Sequence, residues 1–190
     1  MRLTTAMAIS ALVMLPLAAP TLAADDILDA IDQARKSYQS GDLANAKQSL
    51  DLASQLIGQK NAEAYGTVLP RPLAGWKAEE IQTQAIGSVA IGATSASRNY
   101  TNAKGDNVQV QVTGDSMMVA QFAPLLANPQ IAGAMGKIIR VGNQRAIQGN
   151  DGDIHMVVAN KFYISVSGSA PAADKAAYAN AVDFAKLSKM

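Results

Sequence analysis

His155 is the only histidine in the chain and cysteine is absent, so nucleophilic, acid–base and soft-metal chemistry have few side chains to work with. His155 stands in Asp153-Ile154-His155-Met156-Val157-Val158, where alternation puts Ile154, Met156 and Val158 on one face and His155 on the other, beside Asp153 and Val157. A hydrolytic set built on it needs a serine from a distant segment such as Ser165 or Ser167. No Gly-x-Ser-x-Gly turn exposes a nucleophile, and a plain surface histidine is expected. Paired carboxylates fare no better. Glu79 and Glu80 are adjacent and point to opposite faces if extended, whereas Asp151 and Asp153 sit in an Asn-Asp-Gly turn that already explains them. Calcium held by Asn150, Asp151 and Asp153 would lack the longer oxygen array of such loops. Met117, Met118, Met135 and Met156 with His155 form the one soft-metal set, but methionine is a core filler in a chain with 5% aromatics. No glycine-rich phosphate cradle is present. The expectation is a protein without enzymatic activity, metal or cofactor.

Ligand binding has one candidate constellation. Arg98 and Tyr100 share a face of an expected strand, and Trp76, the sole tryptophan, follows Gly75 at the start of the sheet region. Arginine offers a forked donor for carboxylate or phosphate, and the two aromatics offer stacking surface. The competing reading makes Trp76 a core plug or interdomain wedge, with Tyr100 at the core edge and Arg98 in solvent.

These residues depend on elements whose order is legible. Arg2, an apolar run from Ala6 to Leu17, and the small-residue end Thr21-Leu22-Ala23 follow the order of a secretory signal over residues 1–23. The run is too short for a comfortable membrane span, so a periplasmic or secreted protein without a span after signal removal is expected. The 190 residues carry a formal net charge of +1, and loss of Arg2 would balance acids and bases, leaving no field to draw nucleic acid.

From Asp25 to Lys60, Ile27, Leu28, Ile31, Ala34 and Tyr38, then Leu43, Ala46, Leu50, Ala53 and Ile57, repeat with helical spacing on either side of Gly41-Asp42. The pattern predicts an antiparallel helical hairpin within residues 24–66. Ala34, Tyr38, Gly41, Asp42, Ala46, Leu50 and Ala53 resemble one tetratricopeptide repeat, and a lone repeat cannot bury its own apolar face. Val68 to Gly75, with two prolines, marks a boundary, and residues 67–190 read as a sheet domain. Polar, extended Lys77–Gln84 leads to a hairpin of Ser95–Tyr100 and Asn107–Thr113, then a helix within Met117–Met135. Strands follow at Lys137–Val141, Arg145–Gln148, Asp153–Asn160 and Phe162–Ser167, and a helix closes the chain over Ala172–Leu187, its apolar face formed by Ala173, Ala176, Ala177, Ala181, Phe184 and Leu187. Antiparallel strands with segregated helices predict an α+β fold.

The stretches Leu69-Pro70-Arg71-Pro72-Leu73-Ala74-Gly75-Trp76, Thr94–Tyr100 and Val182–Leu187 resemble uncharacterised exported proteins of Gram-negative bacteria, which implies an envelope location and this fold. The strand and helix order is also similar to the PsbP-type fold of binding and assembly factors. The expected function is therefore a non-enzymatic periplasmic binding or assembly factor contacting an envelope protein. The alternative is a carrier of a small apolar or anionic ligand at Trp76, Arg98 and Tyr100.

Overall fold

The structure, a computed structural model, describes residues 25–85, 94–114, 119–121, 123–124, 128, 133–134 and 136–190. The expected signal segment lies outside them, as does most of the helix expected over Met117–Met135, of which residues 119–121, 123–124 and 133–134 are helical.

Helix α1, Asp26–Gln39, begins at Asp25, whose carboxylate accepts from the Ile27 amide at 3.2 Å, with Asp26 and Asp29 at the positive end of the helix dipole. Gly41 turns the chain at φ +82°, where a side chain would be strained. Asp42 then opens α2, Leu43–Gly66, by accepting from the Asn45 amide at 3.0 Å. The helical pattern in the sequence fades at Lys60, yet α2 continues for more than another turn because Ala62, Tyr65 and Gly66 are buried against the sheet.

Small residues make the helix–helix contact. Ala30, Ala34 and Ser37 of α1 and Ala46, Ser49 and Ala53 of α2 are buried, and Asn45 Nδ2 donates to Ser37 Oγ at 2.9 Å. Short side chains let the two axes approach closely. On the other side of α2, Gly58 approaches Ala85 and Thr94, Gly66 approaches Ile81, and the Tyr65 ring meets Phe162 edge-on at 5.4 Å. At about 100° per residue these two sets lie on opposite sides of the helix, so α2 stands between α1 and the sheet.

Among the described residues the sheet has eight strands: β1 Trp76–Ala78, β2 Gln82–Gln84, β3 Thr94–Asn102, β4 Asn107–Gly114, β5 Lys137–Val141, β6 Gln144–Gln148, β7 Ile154–Val158 and β8 Phe162–Ser167. Their order is β1-β3-β4-β8-β7-β6-β5, with β2 also on β3, and every pair is antiparallel. β1 and β2 lie end to end along one edge of β3, joined by the Glu79 amide donating to the Asn99 carbonyl at 2.9 Å. Strand β7 ends at Val158 instead of Asn160 because Ala159 and Asn160 turn with φ of 52° and 53°, and the Lys161 amide closes the turn on the Val158 carbonyl. Neither residue is a glycine, so the turn carries a weak sequence signal.

Register aligns Tyr100, Arg98 and Ala96 with Val108, Val110 and Val112, and the row continues into Val166, Ile164, Ile154 and Met156. This is the core face. The opposite face carries Ser97, Asn99, Gln109, Gln111, Ser165 and Ser167, the wet side that the alternation predicts.

An α+β architecture, a helical hairpin followed by an antiparallel sheet flanked by helices, is therefore what the chain adopts. The closing helix differs in detail. It is split into α3, Ala172–Asn180, and α4, Phe184–Leu187, by Asp183, whose amide donates to the Val68 carbonyl at 3.1 Å and whose carboxylate caps Lys186. Ala173, Ala177 and Ala181 are exposed, and the face turned to the sheet is Lys175, Tyr178, Ala179, Val182 and Leu187. An alanine-rich helix has too little hydropathy contrast to reveal its inner side.

Lys175 is 2% exposed, and its Nζ donates to Asp153 Oδ1 at 2.6 Å and to the Asp151 carbonyl at 2.9 Å. The contact ties α3 to the turn before β7. Removing Asp153 strands a buried ammonium, whereas replacing Lys175 by an apolar side chain of similar length keeps the packing. Asp153→Ala is expected to lower unfolding free energy by about 3–5 kcal/mol and Lys175→Met by less than about 2 kcal/mol, measured by urea denaturation. Equal losses would contradict the assignment of Lys175 as a buried, paired charge.

Candidate functional site

The chain brings Trp76, Arg98 and Tyr100 together. β1 pairs with the end of β3 so that Ala78 faces Tyr100 and Trp76 faces Asn102, and Arg98 lies one pleat along β3 from Tyr100. The fourth member, which the sequence pattern did not suggest, is Tyr178 of α3. Its ring lies 4.3 Å from that of Tyr100 and meets Trp76 edge-on at 5.3 Å.

Three side chains of the cluster have internal polar partners. The Tyr100 hydroxyl donates to the Pro70 carbonyl at 2.6 Å. The Leu73 amide donates to Tyr178 Oη at 3.3 Å. Arg98 Nε donates to the Glu79 carbonyl at 2.8 Å, and its guanidinium carbon lies 5.9 Å from the Tyr100 ring centroid. Tyr100 and Tyr178 are fully buried, and Trp76 is half-buried at the rim. The arrangement clamps residues 70–73 onto the sheet. Arg98 is the charged side chain of the cluster, and it is half-buried.

Burial is also the main cause of the shifted phenol ionisations. It pushes Tyr100 up to about 12, against the opposing pull of the Arg98 charge, and it raises Tyr163 and Tyr178 as well.

His155 is half-buried on the wet face. Its Nδ1 is 2.8 Å from the Tyr163 hydroxyl, and the two rings stack with centroids 6.1 Å apart. Ser165 is its direct cross-strand neighbour, so the topology does bring in the serine that the sequence left distant. Asp153 is turned away to Lys175, and no Ser-His-Asp alignment forms from these three residues. Asp151 accepts from the Asp153 amide at 3.0 Å, the turn role expected of it, and the Glu79 carboxylate accepts from Asn99 Nδ2 at 3.1 Å. Met156 is a core residue, and Met117, Met118 and Met135 lie outside the described residues. Among the described residues, no group of three or more His, Asp or Glu side chains could hold a metal ion.

A second candidate is the outer surface of the helical hairpin. Leu28, Ile31 and Tyr38 lie along one flank of α1, and Leu43, Leu50 and Ile57, seven residues apart, lie along one flank of α2. Because the helices are antiparallel, both flanks open to the same side and line a shallow groove. All six are exposed, Tyr38 by 70% and Leu43 by 64%. Sequence periodicity counted them with the buried stripe; the usable signal was the segregation of small residues to the crossing and large ones to its flank. On the other side of the hairpin, Asp25, Asp26 and Ile27 face Leu56, Lys60 and Glu63 across an open cleft of about 350 Å³.

No family model, curated protein or solved structure matches this chain. No helix among the described residues is long and apolar enough to cross a membrane.

The phenol ionisations set an alkaline limit on stability. Tyr100 in the unfolded chain ionises near 10, and folding holds it protonated to about 12. Its stabilising contribution is thus complete below pH 10 and lost as pH rises toward 12. The urea midpoint is expected to fall steeply across that window. Tyr100→Phe should lower the unfolding free energy at pH 8 by about 1–3 kcal/mol through the loss of one buried hydrogen bond, and make the alkaline fall of the midpoint shallower. An equally steep fall in the variant would count against Tyr100 as the responsible group.

Proposed function

We propose that this protein is a non-enzymatic binding or assembly factor of the bacterial envelope, acting through protein–protein contacts on the outer side of its helical hairpin. The observation that carries the reading is the row of six large apolar side chains left in solvent while alanine and serine fill the contact between the helices. Apolar patches of several hundred Å² on a folded chain mark interaction surfaces. The tetratricopeptide-like pattern supports the same reading, since one such repeat cannot bury its own face. The leader-like order of residues 1–23 supports the envelope address. A near-neutral chain recognises its partner through apolar shape more than through long-range charge.

The test is site-specific photo-crosslinking in intact cells from Tyr38 and from Leu50, with Leu52, on the opposite flank of α2, as control. Discrete protein adducts are expected from the first two positions and not from Leu52. Leu43→Lys should reduce the yield from Tyr38 about tenfold or more, as truncation of a central apolar contact does. Absence of adducts at both groove positions would overturn the reading.

A further inference from the structure

We propose that the occupant of the hairpin groove is a second copy of this chain, paired about a two-fold axis to close a four-helix bundle. The proposal rests on the reading of that surface as a protein-binding face, and it names the partner. Three features of the groove point to it.

The first is spacing. Leu43, Leu50 and Ile57 recur every seven residues on α2, and Leu28, Ile31 and Tyr38 stand three and then seven residues apart on α1. A heptad spacing is the one that keeps an apolar seam in register with another helix crossing at about 20°. A partner presenting helices of the same period fits this seam, and two antiparallel hairpins laid face to face are the ordinary four-helix bundle.

The second is charge. The Asn45–Ser37 bond sets the level at which α2 passes α1. About one turn from that bond, on the rim of each helix, lies an exposed ion pair: Asp32 with Arg35 at 3.1 Å on α1, and Lys47 with Asp51 at 2.7 Å on α2. Since the helices are antiparallel, the two pairs share one level. A two-fold axis lying across the groove at that level sets α1 antiparallel to α1 of the second copy and α2 antiparallel to α2. Each acid then stands over the base of the other copy, Asp32 over Arg35 and Asp51 over Lys47, with no like charges opposed. One symmetry operation satisfies both rims, as an isologous interface demands.

The third is the fit of the seam under that same operation. Leu50 meets the Leu50 of the second copy near the axis, Leu43 lies over Ile57, and Tyr38 lies over Leu28. Five of the six exposed side chains are matched in this way, in both copies. Their area of several hundred Å², with the charged rims added, approaches the roughly 800 Å² per partner of a stable interface.

Sedimentation velocity of the purified protein is expected to give a dimer at about 50 µM. Leu50→Lys should be monomeric at that concentration with unchanged circular dichroism, because Leu50 is 55% exposed and lies outside the buried core. Arg35→Asp, which opposes like charges across the axis, should weaken the dimer about tenfold, and the exchanged pair Asp32→Arg with Arg35→Asp should restore it. The cysteine-free chain adds a direct check. Leu50→Cys should oxidise to a covalent dimer, whereas Leu52→Cys, 50% exposed on the other flank, should not. A monomer at about 50 µM, or equal crosslinking from both cysteines, overturns the proposal. If the Tyr38 photo-adduct contains a different protein and the chain is monomeric, the second copy is refuted while the binding face stands; absence of any adduct refutes both.

Discussion

The ring of Tyr178 lies where three separate parts of the chain meet. It comes from α3, packs on Tyr100 of β3 and Trp76 of β1, and takes the Leu73 amide on its hydroxyl. Tyr100 in turn holds the Pro70 carbonyl. The proline-rich link from the hairpin to the sheet is therefore fixed by two buried phenols on the sheet's core face, each with its polar tip satisfied. With aromatics at only 5% of residues, concentrating three of them here lets one cluster fasten the link, the edge strand and the closing helix together. The position of α2 against the sheet, and through α2 the position of α1, follows from that anchor.

The hairpin uses the opposite strategy. Its internal contact is made of alanine and serine, which bring the axes close but bury little area per residue. Stability of α2 comes from its second face, where Tyr65 enters the main core with Val68 and Leu69 just beyond. Among the described residues, α1 is held chiefly by α2. A helix so lightly held inside the molecule, carrying Leu28, Ile31 and Tyr38 outward, is the natural place for stabilisation from outside the subunit.

The side chains with chemical potential are largely taken up by structure. Lys175 and Asp153 pair beneath α3, Arg98 braces the Glu79 carbonyl at the β1–β2 junction, and His155 stacks on Tyr163. The outer surface of the hairpin instead carries exposed apolar side chains beside the ion pairs Asp32–Arg35 and Lys47–Asp51.

The sequence by itself determined the helical hairpin, the Gly41-Asp42 turn, the antiparallel α+β class and the apolar face of β4, because these follow from local periodicity and turn chemistry that act over a few residues. It also brought Trp76, Arg98 and Tyr100 to notice through residue type alone. Only the tertiary structure decided that Tyr178 completes that cluster, that Ser165 rather than Asp153 stands beside His155, and that Lys175 lies inside while Ala173 and Ala177 lie outside. The same holds for the hairpin, where helical spacing grouped ten apolar positions that the fold divides into alanines at the helix crossing and mostly exposed larger residues on the flanks. Periodicity assigns a residue to a flank, but which flank is covered depends on what the rest of the chain brings against it, and that is a non-local sum of packing that no short window of sequence contains.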